Sequence, residues 1–151
     1  MAETQMQVRG HLFPPELYYL VEHQVWLRLR QDATGEVGIT SLGITLAGEI
    51  YMCRAKAPGS EVEQGRAIAV VELAKSIVSV KSPASGVVIE TNPLLETQPE
   101  LVHQDPYGHG WIARLALRDF ARDRPQLVHG DAVQAAMEHH AWLHNVGQSG
   151  A

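Results

Sequence analysis

The chain has 151 residues, 45% of them hydrophobic and 19% charged, the balance of one globular domain long enough to bury a core. Its formal net charge of −5 argues against a nucleic-acid-binding or anionic-membrane surface, and no apolar run approaches the roughly 20 residues that span a bilayer. Cys53 is the single cysteine and cannot form an internal disulfide; with a polar start lacking a secretory pattern, this fits the cytoplasm.

Residues 1–18 read as a flexible or irregular N-terminal lead, polar up to Gly10 and carrying Pro14 and Pro15. Glu16–Leu20 is then a helical turn or an extended lead-in. Val25, Leu27 and Leu29 alternate with Trp26, Arg28 and Arg30, the period-2 pattern of a half-buried strand. Asp32-Ala33-Thr34-Gly35 turns the chain, and Glu36–Thr40 returns as a second strand. Thr40 or Ser41 can cap a short helix running to Ala47. Gly48–Cys53 reads as a third strand.

The next stretch organises the rest. Ala67-Ile68-Ala69-Val70-Val71 and Ile77-Val78-Ser79-Val80 are β-branched, apolar runs, and they read as the two strands of a hairpin. Glu72 to Ser76 is its turn, and Lys75 is the one long cationic residue there. A hairpin tip can present a lysine to another protein while both strands stay fixed in a sheet. The plainer alternative is a solvated lysine with Glu72 as a weak surface ion-pair partner.

Ser82-Pro83-Ala84-Ser85-Gly86 is a turn and Val87–Glu90 a strand. The arm that opens at Gly48-Glu49-Ile50 is echoed by the one at Gly86-Val87-Val88, which suggests a pseudo-symmetric pair of small sheets with the lysine turn at one edge. Asn92–Leu101 reads as a loop with a turn of helix, Asp105–Gly110 as a tight turn, and Trp111–Leu117 as the last strand. From Gly130 the period changes. Val133, Ala136, Met137, His140, Trp142, Leu143 and Val146 recur at helical steps, with Asp131 as N-cap. The domain organisation expected is a core at 19–118, a linker and packed C-terminal helix at 119–146, and a disordered tail at 147–151.

No nucleophile elbow, Walker loop or dinucleotide-binding glycine pattern is present, so the chain reads as having no active site of its own. His140 and His144 stand four apart on the helix, beside His139. Without a carboxylate or thiol at fixed spacing, they read as helix-face histidines and no metal site is assigned. Cys53 alternates within its strand and reads as a small buried residue.

On these residues the chain resembles the H protein of the glycine cleavage system, a lipoyl carrier, over about Tyr19 to Leu117. The resemblance is carried by Glu22-His23-Gln24-Val25-Trp26, Val37-Gly38-Ile39-Thr40, Val71-Glu72-Leu73-Ala74-Lys75 and Ser82-Pro83-Ala84-Ser85-Gly86. Gly48-Glu49-Ile50, Gly65 before the hairpin, Pro99-Glu100-Leu101-Val102, and Asp105-Pro106-Tyr107-Gly108 with Gly110-Trp111 complete it. It implies a mainly β barrel-sandwich hybrid with short helices and a C-terminal helix. It also implies lipoate in amide linkage on Lys75, with Glu72, Leu73, Ala74 and Ser76 read by the modifying enzyme or by partners. That enzyme would be a lipoate ligase or lipoyl transferase.

After the lysine, Ser76-Ile77-Val78-Ser79 is more apolar than the family's Ala-Ala-Ser-Asp run. Leu42–Ala47 and Tyr51–Arg54 also depart from ordinary H proteins. The chain is also similar to the H-like lipoate-binding proteins of bacterial sulfur oxidation, which accompany heterodisulfide-reductase-like complexes. The sequence reading leans towards that set. The alternative is a glycine-cleavage H protein carrying the aminomethyl group among glycine decarboxylase, aminomethyltransferase and dihydrolipoamide dehydrogenase. A non-lipoylated structural adaptor is the alternative of another class.

Overall fold

The structure, a computed structural model, describes residues 6–146; the expected tail at 147–151 lies outside them. Twelve strands form among the described residues. They are β1 (Gln7–Val8), β2 (His11–Leu12), β3 (Tyr18–Leu20), β4 (Val25–Leu29), β5 (Thr34–Ile39), β6 (Met52–Ala55), β7 (Glu61–Val62), β8 (Ala67–Glu72), β9 (Ile77–Lys81), β10 (Gly86–Thr91), β11 (Ala113–Leu117) and β12 (Val128–His129). The helices are α1 (Ser41–Ala47), α2 (Leu94–Thr97), α3 (Leu101–Gln104), α4 (Phe120–Asp123) and α5 (Ala132–Leu143).

Two antiparallel sheets make the body of the fold, in the orders β12-β3-β4-β5-β11-β10-β7 and β6-β8-β9. Between them lies the main core. Val25, Leu27, Val37, Ile39, Val88 and Leu115 come from the larger sheet, and Cys53, Ile68, Val71 and Val80 from the smaller one. The expected barrel-sandwich hybrid is therefore present, and the sheets stay open. The larger sheet exceeds the small one that the internal echo suggested, because β3, β4, β5 and β12 extend it.

The first strand of the expected hairpin at 25–40 is not half-buried. Val25 and Leu27 face the inter-sheet core, yet Trp26 is also fully buried, on the other face. There it joins Val8, Phe13, Leu17 and Tyr19 with Val133, Met137 and Ala141 of α5. Helix α5 thus covers the outer face of the larger sheet, so alternation stops distinguishing inside from outside at this point. Gly38 pairs with Trp26 across β4–β5, and a Cβ on it would run into the indole ring.

The same second core corrects the expectation of a loose lead. Gln7–Val8 and His11–Leu12 pair as a hairpin, and Phe13 and Leu17 are completely buried. Their apolar surface has somewhere to go only because α5 returns from the far end of the chain. The helix face also differs from the expected one. Ala141 is buried while Trp142 and Leu143 are more than half exposed, and the Asp131 side chain makes no capping bond.

Thr40 caps α1 as expected, its side-chain oxygen accepting from the Gly43 N–H at 2.9 Å. The third strand starts later than expected. Gly48 ends α1, its N–H donating to the Ile44 carbonyl at a φ of +87°. The Ile50 N–H is spent on His103 Nε2 at 3.0 Å, so regular strand pairing begins only at Met52.

Candidate functional site

Strands β8 and β9 form the expected hairpin, pairing Val70 with Ser79, Val71 with Val78 and Glu72 with Ile77. The Leu73 N–H donates to the Ser76 carbonyl at 2.8 Å, which leaves Ala74 and Lys75 at the tip. Ala74, Lys75 and Ser76 are exposed. Leu73 is half-buried and packs against the main core, so it anchors the tip from below. On the other side β6 pairs with β8, and the Tyr51 N–H donates to the Glu72 carbonyl at 2.8 Å. The base of the turn is thus held from both directions. The structure brings Glu72, Leu73, Ala74, Lys75 and Ser76 together at one corner of the smaller sheet.

Among the ion pairs of the described residues none involves Lys75, and Glu72 does not reach it. The amine stands free on a rigid support. That arrangement suits a lysine that carries something, since acylation there breaks no existing contact.

The turn after the hairpin is a clamp between the sheets. The Ser82 N–H donates to the Arg66 carbonyl at 2.7 Å, the Gly65 N–H to the Ser82 carbonyl at 2.8 Å, and the Ser82 hydroxyl to the Ala84 carbonyl at 2.7 Å. The Ser85 N–H donates to Asp123 Oδ2 at 2.7 Å and its hydroxyl to Oδ1 at 3.3 Å. Gln64 joins them, donating from its backbone N–H to Ser85 Oγ and from its side chain to the Pro83 and Asp123 carbonyls. At Gly86 a Cβ would collide with the Ala116 carbonyl of β11. Each polar residue of Ser82-Pro83-Ala84-Ser85-Gly86 therefore has a structural task, and together they fix where β9 ends. Asp123 is 4% exposed and was invisible to sequence reasoning, which left it in a linker. A lone aspartate at the end of a four-residue helix has no spacing that marks it.

The other motifs build the opposite loop. Asp105 accepts from the backbone N–H of His109 at 2.8 Å and lies 3.0 Å from its ring; the backbone bond most of all holds its carboxyl below the usual range. Trp26 donates to the Pro106 carbonyl and Tyr107 to the Leu12 carbonyl. In the larger sheet, buried Glu36 accepts from Arg28 and Arg114 on the two neighbouring strands, at 2.7 and 2.9 Å.

Cys53 is buried in the main core, and burial pushes its thiol up to about 12. The His140 and His144 rings lie 4.5 Å apart. No group of three or more histidine, cysteine or acidic side chains among the described residues could hold a metal ion. Nor is any helix among them long and apolar enough to cross a membrane.

Fold and site together define a small open-sheeted β domain that presents one unpaired lysine at a hairpin tip. A sequence model of the family described as "Glycine cleavage H-protein" matches residues 17–140, and the chain belongs to that family. It is 41% identical over 140 residues to "Glycine cleavage system H protein 2" of Aquifex aeolicus (strain VF5), covering 92% of this chain and 87% of that one. It is 38% identical over 126 residues to "Glycine cleavage system H protein" of Coxiella burnetii (strain Dugway 5J108-111), covering 83% and 95%. Among solved structures, a glycine cleavage system H protein from Mycobacterium marinum shares the fold, with a TM-score of 0.70 at 22% identity over 89% of this chain and 100% of that one.

Proposed function

We propose that this chain is a lipoyl carrier of the H-protein type, working in glycine cleavage, with lipoate attached to Lys75. The observation that carries the reading is a free lysine at a tip whose two strands are each held in place, in a member of this family. Attachment forms an amide between Lys75 Nζ and the acyl carbon of an activated lipoate, breaking the bond to the activating group, which leaves with the electron pair while the ammonium gives up two protons, and so it removes the ammonium charge. Bound there, lipoate supplies a dithiolane whose sulfurs exchange with thiolates and carry a group between enzymes. The protein supplies position. Leu73 anchors the turn, while Glu72, Ala74 and Ser76 are the side chains that a lipoate ligase or lipoyl transferase meets around the lysine. The partners are glycine decarboxylase, aminomethyltransferase and dihydrolipoamide dehydrogenase, and the chain acts as a carrier in the cytoplasm rather than as an enzyme.

The names of the family and of the relatives support glycine cleavage ahead of sulfur oxidation, which reverses the preference drawn from sequence. One observation keeps the sulfur reading second. Ile77 and Val78 are 68% and 45% exposed beside the lysine, so its surroundings offer apolar surface rather than a polar run to a cationic aminomethyl cargo. Lipoylated protein incubated with glycine decarboxylase separates the two. Exchange of the glycine carboxyl with bicarbonate, lost in Lys75→Arg, is expected for glycine cleavage. Its absence with a fully lipoylated carrier moves sulfur transfer with a heterodisulfide-reductase-like complex to first place. A Lys75→Arg variant that still supports growth on the relevant pathway leaves only the structural adaptor.

A further inference from the structure

The two sheets have four outer edges, and three are guarded. In the larger sheet the end strands β7 and β12 are two residues long. In the smaller sheet, the β6 edge lies beside α2, with which it shares a cavity of about 330 Å³ lined by Met52–Ala55, Leu95 and Glu96. Natural sheets protect their edges by such shortness, cover or charge. Strand β9 is the exception. It runs five residues and pairs only with β8; its one charge, Lys81, is half-buried at the end away from the turn, and its exposed stretch Ile77-Val78-Ser79 has no charge, proline or glycine.

The direction of its backbone groups follows from the register. The Leu73–Ser76 bond makes that pair a hydrogen-bonded one, so the bonding pairs alternate onward to Val71–Val78. The carbonyls of Glu72 and Ile68 agree, since both accept from the β6 side, from Tyr51 and Lys56. Ile77 and Ser79 therefore turn their N–H and C=O groups away from β8. No described residue bonds them.

We propose that this edge is the docking rail for the enzyme that acylates Lys75: an extended segment of that enzyme adds to β9 as a further strand, bonding the backbone of Ile77 and Ser79. The inference rests on Lys75 being the modified residue. Ile77 is two residues from Lys75, about 7 Å along an extended strand, so a strand seated here sets the lysine's position against the active site. Backbone bonds supply attraction in this mode, and the Ile77 and Val78 side chains supply specificity. The occupant is an enzyme rather than a second copy because the rail is short. Three exposed residues offer roughly 300 Å² a side, far below the ~800 Å² per partner of a stable complex. A carrier that must leave each enzyme is served by such a transient contact.

The test is acylation of the full chain by a bacterial lipoate–protein ligase with lipoic acid and ATP, read by intact mass. Ser79→Pro removes an outward N–H at an edge, a place where proline is tolerated, and leaves the ladder with β8. The expected result is a fall in kcat/KM of about tenfold or more, the equivalent of one lost bond, with the Val78 and Val80 amides still protected from exchange. A second measurement does not depend on the variant: in wild-type protein the Ile77 and Ser79 amides gain exchange protection when ligase is added. Acylation of Ser79→Pro at the wild-type rate, or no gain in protection, overturns the rail and leaves the lysine reading intact. Dimerisation of the free chain through β9 also overturns it. Failure of the ligase to modify wild-type Lys75 overturns both.

Discussion

Removing the Asp123 carboxylate should unlatch the turn that follows the lysine hairpin. Asp123→Ala deletes the acceptor of the Ser85 N–H at 2.7 Å and of the Ser85 hydroxyl at 3.3 Å. The first is a short bond to a charged group, worth about 1.5–3 kcal/mol, and the second, longer bond adds about 0.5 kcal/mol. The carboxylate is 4% exposed, so water cannot readily take its place, and the loss should come to about 3 kcal/mol. In a chain of this size that lowers Tm by about 6–12 °C. Urea titration followed by circular dichroism reads the change as a lower midpoint at unchanged slope. Asp123→Asn keeps one acceptor oxygen and should lose about half as much. Asp119→Ala, which removes only an exposed cap bond at 3.3 Å, should lose less than about 1 kcal/mol. The reasoning is refuted if Asp123→Ala costs under about 0.5 kcal/mol, or if the asparagine variant is as damaged as the alanine one.

Two further outcomes follow from titratable groups. Burial first, then the neighbouring His144 and His139, hold the His140 imidazole below its ordinary value. The unfolded chain therefore binds the proton first, and stability should fall as pH drops below about 6.5, towards the lowered folded value. His140→Gln should reduce the slope of the urea midpoint across that window, with His11, also held low by burial, keeping the remainder; an unchanged slope would show that His140 does not titrate as described. Cys53, pushed up to about 12 by burial, holds on the order of one thiolate in ten thousand at pH 8. Ellman's reagent should leave the native protein unmodified and react fully in denaturant, and rapid reaction without denaturant would contradict the buried placement.

The lysine hairpin was legible because its information is local. Two β-branched runs and a short polar-tipped turn specify strand, turn and partner within a dozen residues, and the structure pairs them as a hairpin in which Glu72 ends β8 instead of opening the turn. The Thr40 cap was legible for the same reason. The misreadings share a different cause. Phe13, Leu17, Trp26 and Ala141 bury each other across more than a hundred residues, and no local period reports that a distant helix will cover a strand's second face. Alternation in β4 therefore suggested a solvent side where Trp26 is fully buried. Trp142 and Leu143 look like core residues by hydropathy, yet α5 turns Val133, Met137 and Ala141 inward and leaves those two more than half exposed. Asp123 escaped notice because its importance lies in a tertiary bond to Ser85. At the site itself the sequence marked the lysine and its neighbours, but not that β9 leaves an unpaired edge, which depends on what else joins the sheet.

Mass spectrometry of the protein isolated from its native host reads the chemical state of Lys75 itself. One lipoyl increment per chain is expected, located on Lys75 by peptide fragmentation and absent from Lys75→Arg. Protein that carries unmodified Lys75 in cells with an intact lipoylation system would contradict it.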